Sequence, residues 1–111
     1  MKQIAAKLFA RIIFKRNQKW KKNPIEYQKK TFKKLIATAR ETTFGKDHNF
    51  KSINTPSDFS QFVPVRDYEE LSPYIDRMVA GEEDILWPGK PIYFSKTSGT
   101  TSGVKYIPIT K

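Results

Sequence analysis

Only two stretches of this 111-residue chain read as β-strand, and they lie side by side at its end: IYFSK at 92–96 and VKYIPIT at 104–110. Both are rich in β-branched and aromatic residues, and a Ser/Thr/Gly loop separates them. A two-stranded pair is marginal in water unless it packs on helices or joins more strands. That constraint sets the expected architecture, an α/β fold in which N-terminal helices precede a terminal β-hairpin bearing the loop. It also suggests that the hairpin belongs to a larger sheet whose other strands lie outside these residues.

The rest of the chain reads as helix. Residues 3–20 repeat apolar side chains at Ile4, Leu8 and Ile12, with Ala5, Phe9 and Ile13 beside them and Lys7, Arg11, Lys15 and Lys19 on the other side. Such a basic amphipathic helix suits a membrane surface. The preferred reading is a terminal helix packed on its own protein, since no lipidation motif accompanies it. The expected division is a basic helix over 1–22 and an incomplete domain over 23–111.

Asn23-Pro24-Ile25-Glu26 opens the next helix. It is expected to run to about Thr43, with Tyr27, Phe32, Leu35, Ile36 and Ala39 inward and Gly45 as the stop. Thr55 or Ser57 caps a short helix, and Asp67 caps another with Glu69 and Glu70 in its first turn. Leu71, Tyr74, Ile75 and Met78 form that helix's inner face. Gly81 stops it, and Pro73 is expected to kink or split it. His48 reads as an exposed loop histidine, Glu82, Glu83 and Asp84 as a solvated turn, and Trp20 and Trp87 as packing anchors.

The formal charge of +10 is concentrated in one segment. Residues 1–34 hold twelve Lys/Arg against Glu26 alone, whereas the remainder holds nine basic and ten acidic residues. The basic character therefore does not extend over the chain, and nucleic acid is not the expected partner. Without cysteine there is no disulfide or thiolate metal site, which fits a cytoplasmic protein.

The loop carries the chemistry. Its glycines let successive backbone N–H groups converge on an anion, Ser98, Thr100, Thr101 and Ser102 add hydroxyl donors, and Lys105 adds a cation. A polyphosphate uses all three. The loop is neither a Walker A motif, which leads from G-K-[ST] into a helix, nor a dinucleotide fingerprint, which needs G-x-G-x-x-G.

TSGTTSGVK resembles the phosphate-binding loop of the adenylate-forming enzymes through Ser98, Gly99, Thr100, Thr101, Gly103 and Lys105. The extra Ser102 before Gly103, and Pro108 downstream, resemble the auxin-responsive promoter (Gretchen Hagen) family of acyl acid–amido synthetases. FGKDHNF, FVPVRDYEELSPYIDRMVAGEEDIL and PIYFSKTSGTTSGVKYIPIT follow that family's N-terminal order, so the resemblance covers roughly residues 24–111.

The resemblance implies an enzyme that uses ATP and Mg²⁺ to adenylate a carboxylic acid and passes the acyl group to an amine or amino acid. It makes Ser98, Gly99, Thr100, Thr101, Gly103 and Lys105 the nucleotide-binding residues, with no catalytic or metal-ligating residue in this stretch. The family's other motifs follow the loop. The chain is therefore expected to be an N-terminal fragment, inactive alone. A coenzyme A ligase fragment, sharing the first half-reaction, and a non-enzymatic basic helical module for membrane or nucleic acid are the alternatives.

Overall fold

The computed structural model of the chain describes residues 2–99 and 103–111. The elements are α1 (Lys2–Lys22), α2 (Pro24–Ala39), α3 (Thr43–Asp47), a 3₁₀ turn (Phe50–Ser52), α4 (Pro56–Phe62), α5 (Tyr68–Val79), β1 (Tyr93–Lys96) and β2 (Tyr106–Ile109). They fall into two compact units, residues 1–33 and 34–111.

In the first unit, α1 carries no acid in its first turn and Lys19, Lys21 and Lys22 in its last, where cations suit the helix dipole. Within this unit its apolar stripe has no cover: Ile4, Leu8, Phe9, Ile12 and Phe14 are exposed, Leu8 by 62%. Nor is Trp20 an anchor, since it is exposed and its Nε1 donates to Asn17 Oδ1 at 3.4 Å. Good helix formers such as Ala, Leu, Lys and Arg sustain this helix locally. Only Asn23 interrupts the run before Pro24 takes the first position of α2.

In the second unit, α2 buries Ile36 and Ala39, while Leu35 remains exposed, as does Tyr27 in the first. The helix ends at Ala39, not near Thr43, because Thr42 closes it. The Thr42 hydroxyl donates to the Ala39 carbonyl at 2.7 Å and accepts from the Gly45 N–H at 3.0 Å, ending one helix and capping the next. Gly45 is thus no stop but a buried residue inside α3. A Cβ there would overlap the Ala39 carbonyl, so glycine lets α3 abut the end of α2.

α4 and α5 both begin with capping boxes, Thr55 with Asp58 and Asp67 with Glu70. The Asn54 and Thr55 N–H groups donate to Asp58 Oδ2 and, with the Thr55 hydroxyl, hold the carboxyl below its ordinary range. α5 continues through Pro73 instead of splitting. Proline leaves the Glu69 carbonyl without its usual N–H partner, and the Ser72 hydroxyl donates to it at 2.8 Å. Gly81, at φ +95°, closes the helix: its N–H reaches the Met78 carbonyl and the Glu82 N–H reaches that of Arg77.

The acidic run after Gly81 forms an internally bonded turn. Glu82 pairs with Arg77 at 2.7 Å and Glu83 with Lys90 at 3.5 Å, and Asp84 Oδ1 accepts from the Gly89 N–H at 2.7 Å. The turn is tied to α3, where the Thr43 and Phe44 N–H groups donate to the Asp84 and Ile85 carbonyls. This places Ile85 in a core with Ile75 and Met78, against which Tyr68, Leu71, Tyr74, Leu86, Phe94 and Tyr106 pack. β1 and β2 pair antiparallel, Tyr93 opposite Ile109 and Lys96 opposite Tyr106. The core therefore supports the hairpin from the α5 side.

Candidate functional site

The hairpin loop is drawn together at its neck by Thr97 and Lys105. The Thr97 N–H donates to the Lys105 carbonyl at 3.0 Å, and the Lys105 N–H donates to Thr97 Oγ1 at 3.3 Å. One step further out the two glycines meet. A Cβ on Gly99 would overlap the backbone of Gly103, which itself has φ +77°. Both glycines are thus required sterically, one for close approach and one for a left-handed backbone.

Ser98, Gly99 and Gly103 are exposed beyond this neck, and Lys105 is half-buried within it. Thr100, Thr101 and Ser102 lie outside the described residues. Among the described residues, the loop amides of Ser98, Gly99, Gly103 and Val104 have no backbone acceptor. Lys105 does not extend into solvent. Its Nζ lies 5.2 Å from the centroid of the Tyr68 ring, in cation–π range.

Tyr68, the first residue of α5, also bonds β2. The Tyr106 N–H donates to the Tyr68 hydroxyl at 2.8 Å, and that hydroxyl faces the Tyr106 carbonyl at 3.4 Å. The Thr97–Lys105 bonding sets the alternation of the ladder, so Tyr106 directs its N–H and C=O away from β1. By the same alternation Pro108, opposite Phe94, occupies a position where its missing N–H costs the ladder nothing. Tyr68 stands where a third strand would and satisfies both outward groups of Tyr106. Sequence reasoning missed Tyr68 and Thr97. The sequence signal for Thr97 is a hydroxyl two residues before Gly99. Tyr68 has no such signal, since 38 residues separate it from its partner.

The remaining polar candidates are structural. His48 is buried, 5% exposed, correcting the expectation of an exposed loop residue. It ends α3, stacks on Phe44 at 4.0 Å, and its Nδ1 lies 2.8 Å from the Phe44 carbonyl, which fixes the proton on Nδ1. Tyr74 donates to Asp47 Oδ2 at 2.8 Å. Among the described residues, no three His, Cys, Asp or Glu side chains converge as a metal site, and no helix is long and apolar enough to cross a membrane.

Known proteins show the same stretch. The GH3 family N-terminal domain matches residues 13–111, and the chain belongs to that family. A jasmonoyl–L-amino acid synthetase of Nicotiana attenuata, JAR6, is 32% identical over 83 residues, 73% of this chain and 14% of the relative. Two indole-3-acetic acid-amido synthetases of Arabidopsis thaliana also match. GH3.10 is 42% identical over 55 residues, 48% of this chain and 9% of its own, and GH3.3 is 30% identical over 81 residues, 72% and 14%. The chain thus spans a small part of these relatives' length. No solved structure matches.

Proposed function

We propose that this chain is the N-terminal, phosphate-loop portion of an ATP-dependent acyl acid–amido synthetase acting in the cytoplasm within an α/β adenylate-forming domain. The observation that carries the reading is the neck of the hairpin. Thr97 and Lys105 close it, the Gly99–Gly103 approach narrows it, Ser98 is exposed beyond it, and Lys105 brings a cation that rests on the Tyr68 ring. That donor set fits a triphosphate. Among the described residues no three His, Cys, Asp or Glu side chains converge as a Mg²⁺ site, and its ligands are expected with the family's other motifs beyond the loop.

ATP supplies an electrophilic α-phosphorus: a carboxylate oxygen forms a bond to it, pyrophosphate leaves, and an amine then displaces AMP from the acyl carbon to give the amide. In this reading Ser98, Thr100 and Thr101 donate to the β- and γ-phosphate oxygens. Gly99 and Gly103 let the backbone approach them, and Lys105 neutralises charge gathering on the leaving pyrophosphate. A coenzyme A ligase would share the first bond-making step, but the relatives, two named as amido synthetases and one as a jasmonoyl–L-amino acid synthetase, favour an amine acceptor. The 111 residues alone are not expected to catalyse.

The test is a chimera in which residues 93–111 replace the corresponding stretch of the Nicotiana synthetase. Acid-dependent ATP–pyrophosphate exchange should persist and should fall on Lys105→Ala or Thr100→Ala, each by about tenfold or more. Exchange indifferent to both substitutions would remove the loop from the site.

The exposed stripe of α1 favours a second role, an anionic membrane surface gripped by residues 1–22. It predicts salt-sensitive binding to anionic vesicles that survives deletion of residues 93–111. Nucleic acid is the weaker partner, because phosphate contacts leave exposed Leu8, Phe9 and Phe14 without a purpose.

A further inference from the structure

Lys105 is restrained from two directions. Its backbone is bonded to Thr97, the residue after β1, and its neighbour Tyr106 is bonded through both main-chain groups to the Tyr68 hydroxyl. The side chain leaves this clamped backbone and comes to rest on the face of the same tyrosine, Nζ 5.2 Å from the ring centroid. One residue on α5 therefore holds the strand that follows the lysine and also the lysine's charge. Tyr68 is itself half-buried against the core of Ile75, Met78 and Ile85, so it is a fixed post.

We propose that Tyr68 is the positioning residue of the phosphate loop, holding the Lys105 ammonium at the neck so that an arriving polyphosphate meets a pre-placed cation. The proposal rests on the phosphate-loop reading and adds a residue outside the loop to it. A free lysine must give up the freedom of a four-carbon chain when it binds phosphate, and the ring has already removed part of it. The cation–π attraction at a partly exposed site is weak enough for a polyphosphate to outcompete it. The hydroxyl does separate work. It satisfies the Tyr106 N–H and C=O, which face away from β1, and so keeps the Lys105 backbone in register with Thr97.

The experiment titrates inorganic tripolyphosphate into the ¹⁵N-labelled chain and follows the Ser98, Gly99, Gly103 and Lys105 amides, with the Lys105 ε-methylene resonance reporting the ring. In the wild type that resonance should be shifted upfield by the ring and should move back on saturation. Tyr68→Phe should keep the upfield shift but speed hydrogen exchange of the Tyr106 amide, and weaken binding about twofold to fivefold. Tyr68→Leu should abolish the shift and weaken binding about threefold to tenfold. In a Lys105→Gln background the additional effect of Tyr68→Leu should shrink to that of Tyr68→Phe. A purely structural tyrosine would cost the same in both backgrounds. Chemical-shift dispersion at Ile75 and Met78 verifies that each variant is folded. Wild-type binding that Tyr68→Phe and Tyr68→Leu leave unchanged would overturn the positioning role and spare the phosphate loop. Tripolyphosphate that moves no loop amide in the wild type would overturn both.

Discussion

α1 and α5 are both helices with apolar side chains recurring on one side, yet they differ in what supports them. α5 is closed at both ends, by the Asp67–Glu70 capping box and by Gly81, and it buries Ile75 and Met78 to 3% and 2% exposure. α1 has no acid in its first turn and leaves Leu8, Phe9 and Ile12 in solvent. An apolar stripe shows where a helix could bury surface. Whether it does so depends on a partner that the periodicity does not name.

The sharpest way to break this contrast is truncation of one apolar side chain in each helix. Ile75→Ala should destabilise the second unit by about 2–5 kcal/mol, through lost burial and the cavity left beside Met78 and Ile85. Leu8→Ala should change stability by less than about 0.5 kcal/mol, as surface substitutions do. Native-state hydrogen exchange, read separately at α1 and α5 amides, measures both. Similar losses at the two sites would mean that α1 is covered after all.

A smaller effect is expected where the second unit's backbone is closely packed. Gly45→Ala places a methyl group against the Ala39 carbonyl and should cost about 1–3 kcal/mol by forcing α3 away from α2. Gly81→Ala meets no atom within 4 Å and suffers only from φ +95°, about 1 kcal/mol. Denaturant midpoints of the two variants should rank in that order. The reverse ranking would show that the α2–α3 junction yields easily.

Much of this contrast was legible in the sequence wherever a signal acts over a few residues. Thr55, one of two candidates with Ser57, caps α4, Asp67 caps α5 as expected, Gly81 stops α5, and the two strand-like runs pair as a hairpin. The end of α2 was misread because Gly45 suggests a stop, whereas the Thr42 hydroxyl had already turned the chain. His48 was misread because its burial depends on Phe44, four residues earlier, meeting Tyr74 and Phe50. Pro73 looked like a break because the rescue of the Glu69 carbonyl comes from Ser72, a side chain with no obligation to fold back. At the candidate site the glycines and Lys105 could be named from spacing. Tyr68 could not, since only tertiary packing brings α5 to β2.

The smallest effect concerns the polar attachment of α5 to α3. Burial raises the Tyr74 phenol above its ordinary range, reinforced by its hydrogen bond to Asp47 and that carboxylate's charge, while Arg66 opposes the shift. A folded-state value above the unfolded one means that the neutral phenol is favoured in the native protein. The resulting stability is fully present below the unfolded value, about pH 10, and is lost as pH rises through the higher folded value. The stability difference between the wild type and Tyr74→Phe should therefore be constant up to about pH 9 and decline above about pH 10, because phenylalanine keeps the packing on Phe44 but has no proton to lose. The other tyrosines and the lysines titrate in both proteins, so their contributions cancel in the difference. Urea unfolding of the two proteins across this range makes the measurement. A difference that stays flat through pH 11 would mean that α5 is held to α3 by packing alone, without help from the Asp47 hydrogen bond.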